Sequence, residues 1–233
     1  RQVRSYVLRG GRLTEGQKKA LRDLWPKYGI PDGGGVLDFT QLFGNARPVI
    51  LEIGFGNGDA TWRMAAGEPG TNFVGVEVHR PGVGRLLLKL EEHAIDNVRV
   101  ACEDAVDWIH RRVPQTSLDG VRIYFPDPWP KKRHHKRRLV QDSFVELLAT
   151  RMKPGAVLHL ATDWAPYAEH MRAVLGRCDG FHEMETEGDR PQRPEWRPQT
   201  KYEKRGERLG HRVYDLVFRR ADGPRRSGEW KPD

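Results

Sequence analysis

Three acidic residues stand at the ends of three consecutive predicted strands: Glu52, Glu77 and Asp104. In an open α/β sheet, ligands bind outside the carboxyl ends of the strands, so we expect these side chains to act together. Glu77 is suited to accept hydrogen bonds from both hydroxyls of a ribose, and Asp104 can accept one from an adenine amino group. Acids after strands also commonly cap helices. Taken together and in this order, the three outline a nucleoside site.

A glycine turn, E-I-G-F-G-N-G, joins the first of these strands to a helix through Gly54, Gly56 and Gly58. Glycines at such a turn let the backbone approach a ligand closely and open a helix N-terminus toward it. The dinucleotide form of the motif needs a small residue at position 59, where this chain has Asp59. The turn therefore disfavours NAD and is typical of S-adenosylmethionine (SAM) methyltransferases, whose cofactor has no phosphate to bind.

The segment of residues 121–138 reads V-R-I-Y-F-P-D-P-W-P-K-K-R-H-H-K-R-R. It begins as a strand and stops at three prolines in five residues, because proline lacks the N–H and fixes φ. Asp127 and Trp129 therefore stand at the end of a predicted central strand. A carboxylate beside an aromatic ring can hold a base, and the basic run after them can hold the phosphates that carry the base. The alternative interpretation is an acidic turn followed by a solvated charge run.

The positive charge of the chain is concentrated in that run. The formal net charge is +8, and residues 131–138 hold six Lys or Arg and no acid, which leaves +2 elsewhere. A charge focused on one face favours a polyanionic partner. Cys102 and Cys178 are too few for a disulfide framework or a zinc site, and the histidines lack metal-ligand spacing, so we expect no metal.

No apolar run approaches the roughly 18 residues of a membrane span, and no signal peptide is evident, so we expect a cytoplasmic protein without membrane contact. The chain begins at Arg1, and we expect its native start upstream. We predict three regions: an amino-terminal arm and helix at residues 1–47, a methyltransferase domain at 48–220, and a disordered tail at 221–233.

Hydrophobic patterning predicts the elements that must position these residues. Strands are predicted at residues 49–53, 72–78, 98–102, 121–125 and 157–162, with a turn at Asp119-Gly120 before the fourth. A helix capped by Thr14 is predicted to run to about residue 28, and others at 59–66, 85–95, around 105–109, over 140–148 until Pro154-Gly155, and at 167–177. Residues 179–199 are predicted to be a loop, and 203–218 a hairpin around Leu209-Gly210-His211.

Strands and helices alternate five times, which predicts an α/β fold with a mostly parallel central sheet. We expect a Rossmann-like SAM methyltransferase fold, with helices on both faces of the sheet and a C-terminal antiparallel hairpin.

Four segments of the sequence resemble the tRNA (guanine-N(7)-)-methyltransferases, and they span nearly the whole chain. They read R-S-Y-V-L-R-G-G-R-L-T-E-G-Q, E-I-G-F-G-N-G, P-D-P-W-P-K-K-R-H-H-K-R-R and T-K-Y-E-K-R-G. The third is highly specific. Tyr202 departs from members that carry Phe there, but it keeps the stacking face. The resemblance implies SAM as cofactor, tRNA as partner and the guanosine at position 46 of the variable loop as target.

The resemblance also implies roles for individual residues. Contact with SAM or shaping of its pocket falls to Glu52, Glu77, Asp104 and Asp127, and Asp127 is also the catalytic-site acid. The residues implied to bind the substrate nucleotide are Lys131, Asp163, Thr200, Lys201, Tyr202 and Glu203. The run implied to contact RNA is Arg133, His134, His135, Lys136, Arg137 and Arg138.

The residues agree with that chemistry but leave several roles open. Nitrogen-7 of guanine carries a lone pair and no proton, so methyl transfer needs placement and charge stabilisation, not a general base. Asp127 can stabilise the arriving charge or hold the base edge. Asp163 can accept from the base edge or cap a helix. Trp129 can stack on the base or pack its loop. The segment at 200–203 can close over a flipped nucleoside or simply start a strand.

Two rival functions remain at this level. Amino-methyltransferases acting on adenine or cytosine have an Asp/Asn-Pro-Pro-aromatic motif, whereas this chain has Asp-Pro-Trp-Pro. A SAM-binding or RNA-binding subunit without catalysis is the other rival, and the intact acids and glycines argue against it. No partner subunit is evident, and we expect a monomer or a homodimer.

Overall fold

The computed structural model describes residues 5–6, 11–184, 193–200, 203, 210 and 212–222. The chain divides into two compact units. The amino-terminal unit comprises Leu8–Pro114 and Pro194–Lys204; the carboxyl-terminal unit comprises Arg1–Val7, Gln115–Arg193 and Arg205–Asp233. The strands form a mixed seven-stranded sheet, mostly parallel, with antiparallel strands near the carboxyl end. Among the described residues, no helix has the length and apolarity needed to cross a bilayer.

Three parallel strands form the sheet of the amino-terminal unit, in the order β3-β2-β1. Ile53 pairs with Val76, and Val76 pairs with Ala101, so the three strands end at one edge. Every residue of β1 and β2 is buried, as expected for strands covered on both faces. The strands are β1 Val49–Ile53, β2 Asn72–Val76 and β3 Val98–Ala101.

Six helices accompany these strands in the described part of the unit. Thr14 caps the first, as predicted, and the structure shows that it does so through a capping box with Gln17. The prediction of one helix to residue 28 was wrong: Leu24 separates two helices, and Pro26, which has no N–H to continue a helix, lies in the first turn of the second. The helices are α1 Glu15–Asp23, α2 Trp25–Tyr28, α3 Phe39–Phe43, α4 Asp59–Gly67, α5 Arg80–Glu92 and α6 Ala105–Arg112.

The carboxyl-terminal unit contains the strand order β4-β5-β7-β6. β4 and β5 are parallel, and β7 pairs antiparallel with both β5 and β6. The elements are β4 Leu118–Tyr124, a 3-10 helix at Lys132–Arg137, α7 Asp142–Arg151, β5 Met152–Thr162, α8 Ala165–Gly176, β6 Phe181–Glu183 and β7 Tyr214–Arg220.

Two predicted breaks fall inside strands of this unit. Asp119-Gly120 was predicted as a turn but lies within β4, at a register shift between Leu118 and Gly120. Pro154-Gly155 was predicted to end a helix but lies within β5, since the helix already ends at Arg151. The extra residues of β5 are accommodated by this irregularity, with Gly155 at φ +77°. Glycine and proline therefore marked a bulge here.

The antiparallel carboxyl end was predicted, but its pairing was not. The predicted hairpin at 203–218 would pair β7 with a strand that precedes Leu209-Gly210-His211. Residues 204–209 and 211 of that hairpin lie outside the described part, and Glu203 is helical. Among the described strands, β7 pairs with β5 and with β6, which lies within the predicted loop at 179–199. Residues 185–192 of that loop and 223–233 of the predicted tail also lie outside the described residues.

Candidate active site

The glycine turn after β1 depends on backbone conformations that favour glycine. Gly54 and Gly56 have φ angles of +71° and +57°, and a Cβ built on either would meet no atom within 4 Å. The left-handed backbone, not crowding, therefore requires glycine at both positions. Gly58 differs, because a Cβ there would lie 2.6 Å from the Leu86 side chain. Beside Gly54 and Gly56 the turn borders open space that a ligand can fill.

Glu77, the acid after β2, holds this turn in place. It is 9% exposed, its Oε2 accepts a hydrogen bond from the Gly56 N–H at 2.8 Å, and its Oε1 accepts one from the His79 N–H at 2.9 Å. The sequence predicted an acceptor for ribose hydroxyls, and the structure adds a brace between the strand end and the turn. Each carboxylate oxygen has two lone pairs, so both can still accept from a hydroxyl.

The other two acids of this edge are also integrated into the fold. Asp104 is the N-cap of α6, where its Oδ1 accepts hydrogen bonds from the N–H groups of Val106 and Asp107 at 3.0 and 3.1 Å. Its Oδ2 takes no part in those bonds and is available to an adenine amino group. Glu52 lies within β1 and is 2% exposed. Two of the three predicted acids, Glu77 and Asp104, therefore have a structural role that the sequence did not predict.

These residues fit a nucleoside cofactor that carries no phosphate. Glu77 and Asp104 supply acceptors for hydroxyl and amino groups, and the open space beside Gly54 and Gly56 lets a ligand reach the backbone. The turn at residues 53–58 contains no Lys or Arg. Acceptors without cations match SAM, whose ribose and adenine donate hydrogen bonds and whose sulfonium is itself positive.

The end of β4 carries Asp127 on a strained turn. The Phe125 N–H donates to the Ala161 carbonyl at 2.7 Å, which extends the pairing with β5 by one residue. Phe125 and Trp129 then adopt φ angles of +52° and +45°, which bulky residues seldom adopt. Such conformations cost energy and concentrate at functional sites. Asp127 lies between them, exposed, and its carboxylate accepts no hydrogen bond from the described residues.

Trp129 packs this turn, which is one of the two roles that the sequence left open. Its indole N–H donates to the Ser5 carbonyl at 3.0 Å, and the guanidinium of Arg137 lies 4.0 Å from the ring centroid. His134 makes an edge contact with the same ring at 5.8 Å. With one face and the N–H engaged, the ring is a structural element of the turn.

The basic segment at residues 131–138 begins exposed and ends buried. Lys131, Lys132, Arg133 and Lys136 are exposed. Arg138 is 4% exposed, donates from Nε to the Pro128 carbonyl at 3.0 Å, and lies 4.9 Å from the Tyr167 ring centroid. Burial lowers the pKa of the Arg138 guanidinium. The prediction that the Arg138 side chain contacts RNA is therefore corrected, because this side chain is buried and hydrogen-bonded to the proline turn.

The surroundings of His134 in this segment disfavour its charged form. Desolvation, and then the positive charges of Arg133 and Arg137, lower the pKa of His134. The His135 carbonyl accepts a hydrogen bond from the Gln141 side chain at 2.9 Å, which ties the segment to the chain that follows. At neutral pH His134 therefore adds little to the positive charge that the lysines and arginines of the segment supply.

Asp163 follows β5 and is as unpartnered as Asp127. The N-cap of α8 is Trp164, whose N–H donates to Thr162 Oγ1 at 3.2 Å, so Asp163 does not cap the helix. Its side chain is exposed, with no hydrogen-bond or ion-pair partner among the described residues. Because β4 and β5 are parallel and pair Tyr124 with Ala161, Asp127 and Asp163 follow strands that end at the same edge.

The segment at 200–203 is held by a buried ion pair that the sequence did not reveal. Glu203 is 5% exposed, and its two oxygens accept hydrogen bonds from Arg197 at 2.7 and 2.8 Å. Arg197 is 2% exposed. Thr200 Oγ1 accepts from the Glu203 N–H at 3.2 Å, which links the two ends of this segment. Lys201 and Tyr202, also predicted to bind substrate, lie outside the described residues.

Comparison with known proteins identifies the family. Residues 46–216 match a family model described as "Putative methyltransferase". A tRNA (guanine-N(7)-)-methyltransferase of Alcanivorax borkumensis is 50% identical over 218 residues, covering 94% of this chain and 91% of the relative. One of Streptomyces avermitilis is 52% identical over 221 residues, covering 95% of this chain and 76% of the relative. The chain belongs to the tRNA (guanine-N(7)-)-methyltransferase family.

The fold agrees with this membership. The solved structure of the 16S rRNA methyltransferase KamB has a TM-score of 0.59 and 16% identity, with 81% of this chain and 95% of that chain covered. At this identity the likeness concerns the fold alone, and it confirms the predicted Rossmann-like methyltransferase architecture. Among the described residues there is no group of three or more His, Cys, Asp or Glu that could hold a metal ion.

Besides Arg197, the structure of this family member shows buried polar groups that sequence reasoning missed. His159 accepts or donates at both ring nitrogens, 3.1 Å from the Tyr124 hydroxyl and 2.8 Å from Asp215 Oδ1. A histidine within the apolar run V-L-H-L-A-T was the available signal. The Tyr167 hydroxyl accepts from the Val140 N–H at 3.3 Å, and burial raises the pKa of Tyr167 to about 12.

Proposed function

We propose that this protein transfers a methyl group from SAM to nitrogen-7 of the guanosine at position 46, in the variable loop of tRNA. The observation that carries the proposal is its 50% identity, over 94% of the chain, to a tRNA (guanine-N(7)-)-methyltransferase. The residues that follow the carboxyl ends of the parallel strands in each unit support the proposal. We further propose that the reaction takes place in the cytoplasm and that the enzyme works as a monomer or a homodimer.

The amino-terminal unit would hold the cofactor. Glu77 accepts from the ribose hydroxyls, Asp104 accepts from the adenine amino group, and the glycine turn lines the open space beside its backbone. When bound, SAM supplies a methyl carbon that the guanine N7 lone pair takes, while the electrons of the broken carbon–sulfur bond return to sulfur. The transfer therefore requires SAM to be held in a fixed position by its acceptors. Glu77 suits this role, because two hydrogen bonds from backbone N–H groups fix its carboxylate.

The carboxyl-terminal unit would hold the guanine. No proton leaves during the transfer, so the residues here have to place the base and stabilise the positive charge that it acquires. Guanine donates from N1 and from its amino group, and a carboxylate can accept both bonds. Adenine presents an acceptor at N1, so a carboxylate discriminates against it. Asp127 and Asp163 are exposed acceptors of this kind.

The basic segment would bind the phosphates that flank the target nucleotide. Its first residues expose four cationic side chains, and Arg137 adds a fifth that is anchored on Trp129. A base inside folded RNA has to leave its stack before its N7 is accessible. The segment at residues 200–203 would close over the flipped nucleotide, with the Arg197–Glu203 pair anchoring Glu203 at its end.

The test is incubation with SAM and an unmodified tRNA transcript, followed by borohydride reduction and aniline cleavage, which breaks RNA at 7-methylguanosine. We expect a single cut in the variable loop, lost in a transcript whose position-46 guanosine is replaced by adenosine. A cut elsewhere would refute the position while leaving the reaction. No cut, with a methylated adenine or cytosine in a nucleoside digest, would refute the guanine-N7 assignment and establish an amino-methyltransferase.

A further inference from the structure

Trp164 is an exposed aromatic residue with no evident structural task. In the described residues four large hydrophobic side chains are exposed, and Trp164, at 40%, is the one that directly follows an unpartnered carboxylate at a strand end. Its indole has no hydrogen bond or ring contact with the described part of the chain. Leaving a large apolar ring in water forgoes the free energy that its burial would provide.

The backbone beneath this ring is nevertheless firmly held. The Trp164 N–H donates to Thr162 Oγ1, and the Trp164 carbonyl accepts from the N–H groups of Tyr167 and Ala168 at 2.9 and 3.1 Å. Thr162 is 1% exposed and Tyr167 is fully buried. The ring is thus exposed because an ordered strand end and helix start present it there. A rigid aromatic platform of this kind suits stacking on a nucleobase.

The other tryptophan at this edge is already engaged. Trp129 is bound through its N–H to Ser5 and covered on its ring by Arg137. Trp129 thus has its N–H and one ring face engaged, whereas the Trp164 ring contacts none of the described aromatic or cationic groups. Trp164 also neighbours Asp163, so a carboxylate that can bind the edge of a base and a ring that can cover its face are consecutive in the chain.

We propose that Trp164 stacks on the target guanine and stabilises the positive charge that the base acquires as N7 takes the methyl group. This inference rests on the proposed function. Methylation converts a neutral purine into a cation, and the face of an indole attracts a cation more strongly than it attracts a neutral ring. Trp164 therefore binds the transition state and the methylated base more tightly than the unmodified base, which raises the rate of transfer.

The experiment compares Trp164→Leu and Trp164→Phe with Leu88→Ala, which truncates another apolar side chain that is 40% exposed, on α5. Single-turnover rates with saturating SAM and tRNA, SAM affinity by calorimetry and melting temperature are measured for each. We expect Trp164→Leu to slow transfer roughly 10- to 100-fold, as loss of one stacked base predicts. Trp164→Phe should retain most of the rate, and SAM affinity and melting temperature should match the control.

A second readout isolates the cationic preference. Fully methylated and unmodified tRNA are each used as competitors, and the ratio of their inhibition constants is compared between wild type and Trp164→Leu. We expect the ratio to shift several-fold toward unmodified tRNA when the indole is lost. An unchanged ratio, a rate within twofold of wild type, or a loss of SAM affinity or melting temperature beyond that of Leu88→Ala would overturn the inference.

The design separates this inference from the proposed function. If wild type methylates tRNA and Trp164→Leu does so equally well, the inference fails and the function stands. If wild type produces no 7-methylguanosine at all, the proposed function fails, and the inference fails with it.

Discussion

The candidate site carboxylates of the two units differ in what they bind within the protein. In the amino-terminal unit, Glu77 accepts from two backbone N–H groups, Asp104 caps a helix, and Glu203 pairs with a buried arginine. In the carboxyl-terminal unit, Asp127 and Asp163 are exposed and accept from no described residue. Candidate site acids that look alike in the sequence therefore fall into two groups. In the amino-terminal unit they are braces, which are bonded within the protein; in the carboxyl-terminal unit they are vacant acceptors, which accept no hydrogen bond from the described residues.

This difference matches the two ligands that the protein has to hold. A small cofactor gains from a site that is already rigid, because ordering the loops on binding would cost affinity. A guanine brings its own donors and needs acceptors that the protein has not used. An exposed carboxylate is hydrated at little cost until the base replaces that water. The braces and the vacant acceptors should respond oppositely to mutation: stability falls in the first case and only activity falls in the second.

The largest stability effect is expected at the buried ion pair. Glu203→Ala leaves the Arg197 guanidinium buried without its carboxylate, which should lower the free energy of unfolding by about 3–5 kcal/mol. Chemical denaturation measures this change. Glu195→Ala is the control, because it removes the same charge from an exposed position two residues before Arg197. Equal stability of the two variants would show that the pair is not a brace.

Asp127→Asn should give the opposite pattern. We expect transfer to slow about 100- to 1000-fold, as for other preorganised groups that stabilise developing charge. Melting temperature and SAM affinity should stay at wild-type values, because the carboxylate has no partner to lose. Asp179→Asn, which removes an exposed charge elsewhere in the carboxyl-terminal unit, serves as the control. A melting temperature lowered by several degrees would make Asp127 a structural residue and break the comparison.

Glu77→Ala should combine both effects, at smaller size. It removes the acceptor of the Gly56 and His79 N–H groups, which we expect to cost about 1.5–3 kcal/mol of stability. SAM affinity should fall at the same time, since the ribose loses its acceptor. Denaturation and calorimetry measure the two changes, with Glu92→Gln on the exposed side of α5 as control. Weaker SAM binding at unchanged stability would place Glu77 with the vacant acceptors instead.

The smallest effects are expected in the basic segment, where exposed and buried positions can be compared directly. Five cations should give a slope of log K against log salt of roughly −3.5 to −4.5 for tRNA binding. Arg133→Ala should make this slope shallower by about 0.7–0.9. Arg138→Met should leave the slope unchanged and lower stability, because that side chain is buried beneath the turn. Filter binding across salt concentrations measures both, and equal slopes for both variants would contradict the distinction.

Local signals predicted the elements well where a single physical cause dominates. Thr14 predicted a helix N-cap, and the apolar runs at 49–53 and 72–78 predicted strands that the structure places at 49–53 and 72–76, buried and parallel. These local signals failed where the same residue types occur in two kinds of local structure. Pro154-Gly155 ends helices in many proteins, but here it lies in a bulge of β5, because pairing with β4 outweighs the local preference.

The family, the fold class and the candidate acids could be predicted from the amino-acid sequence, because motifs at strand ends and glycine turns lie within short segments of the chain. Which of those acids form hydrogen bonds within the protein became evident from the folded structure. The burial of Arg138, the pairing of Arg197 with Glu203 and the exposure of Trp164 arise from contacts between residues whose types alone do not specify burial. The type of a charged residue does not reveal whether its side chain faces water, a phosphate or a carboxylate, because the folded chain sets those surroundings.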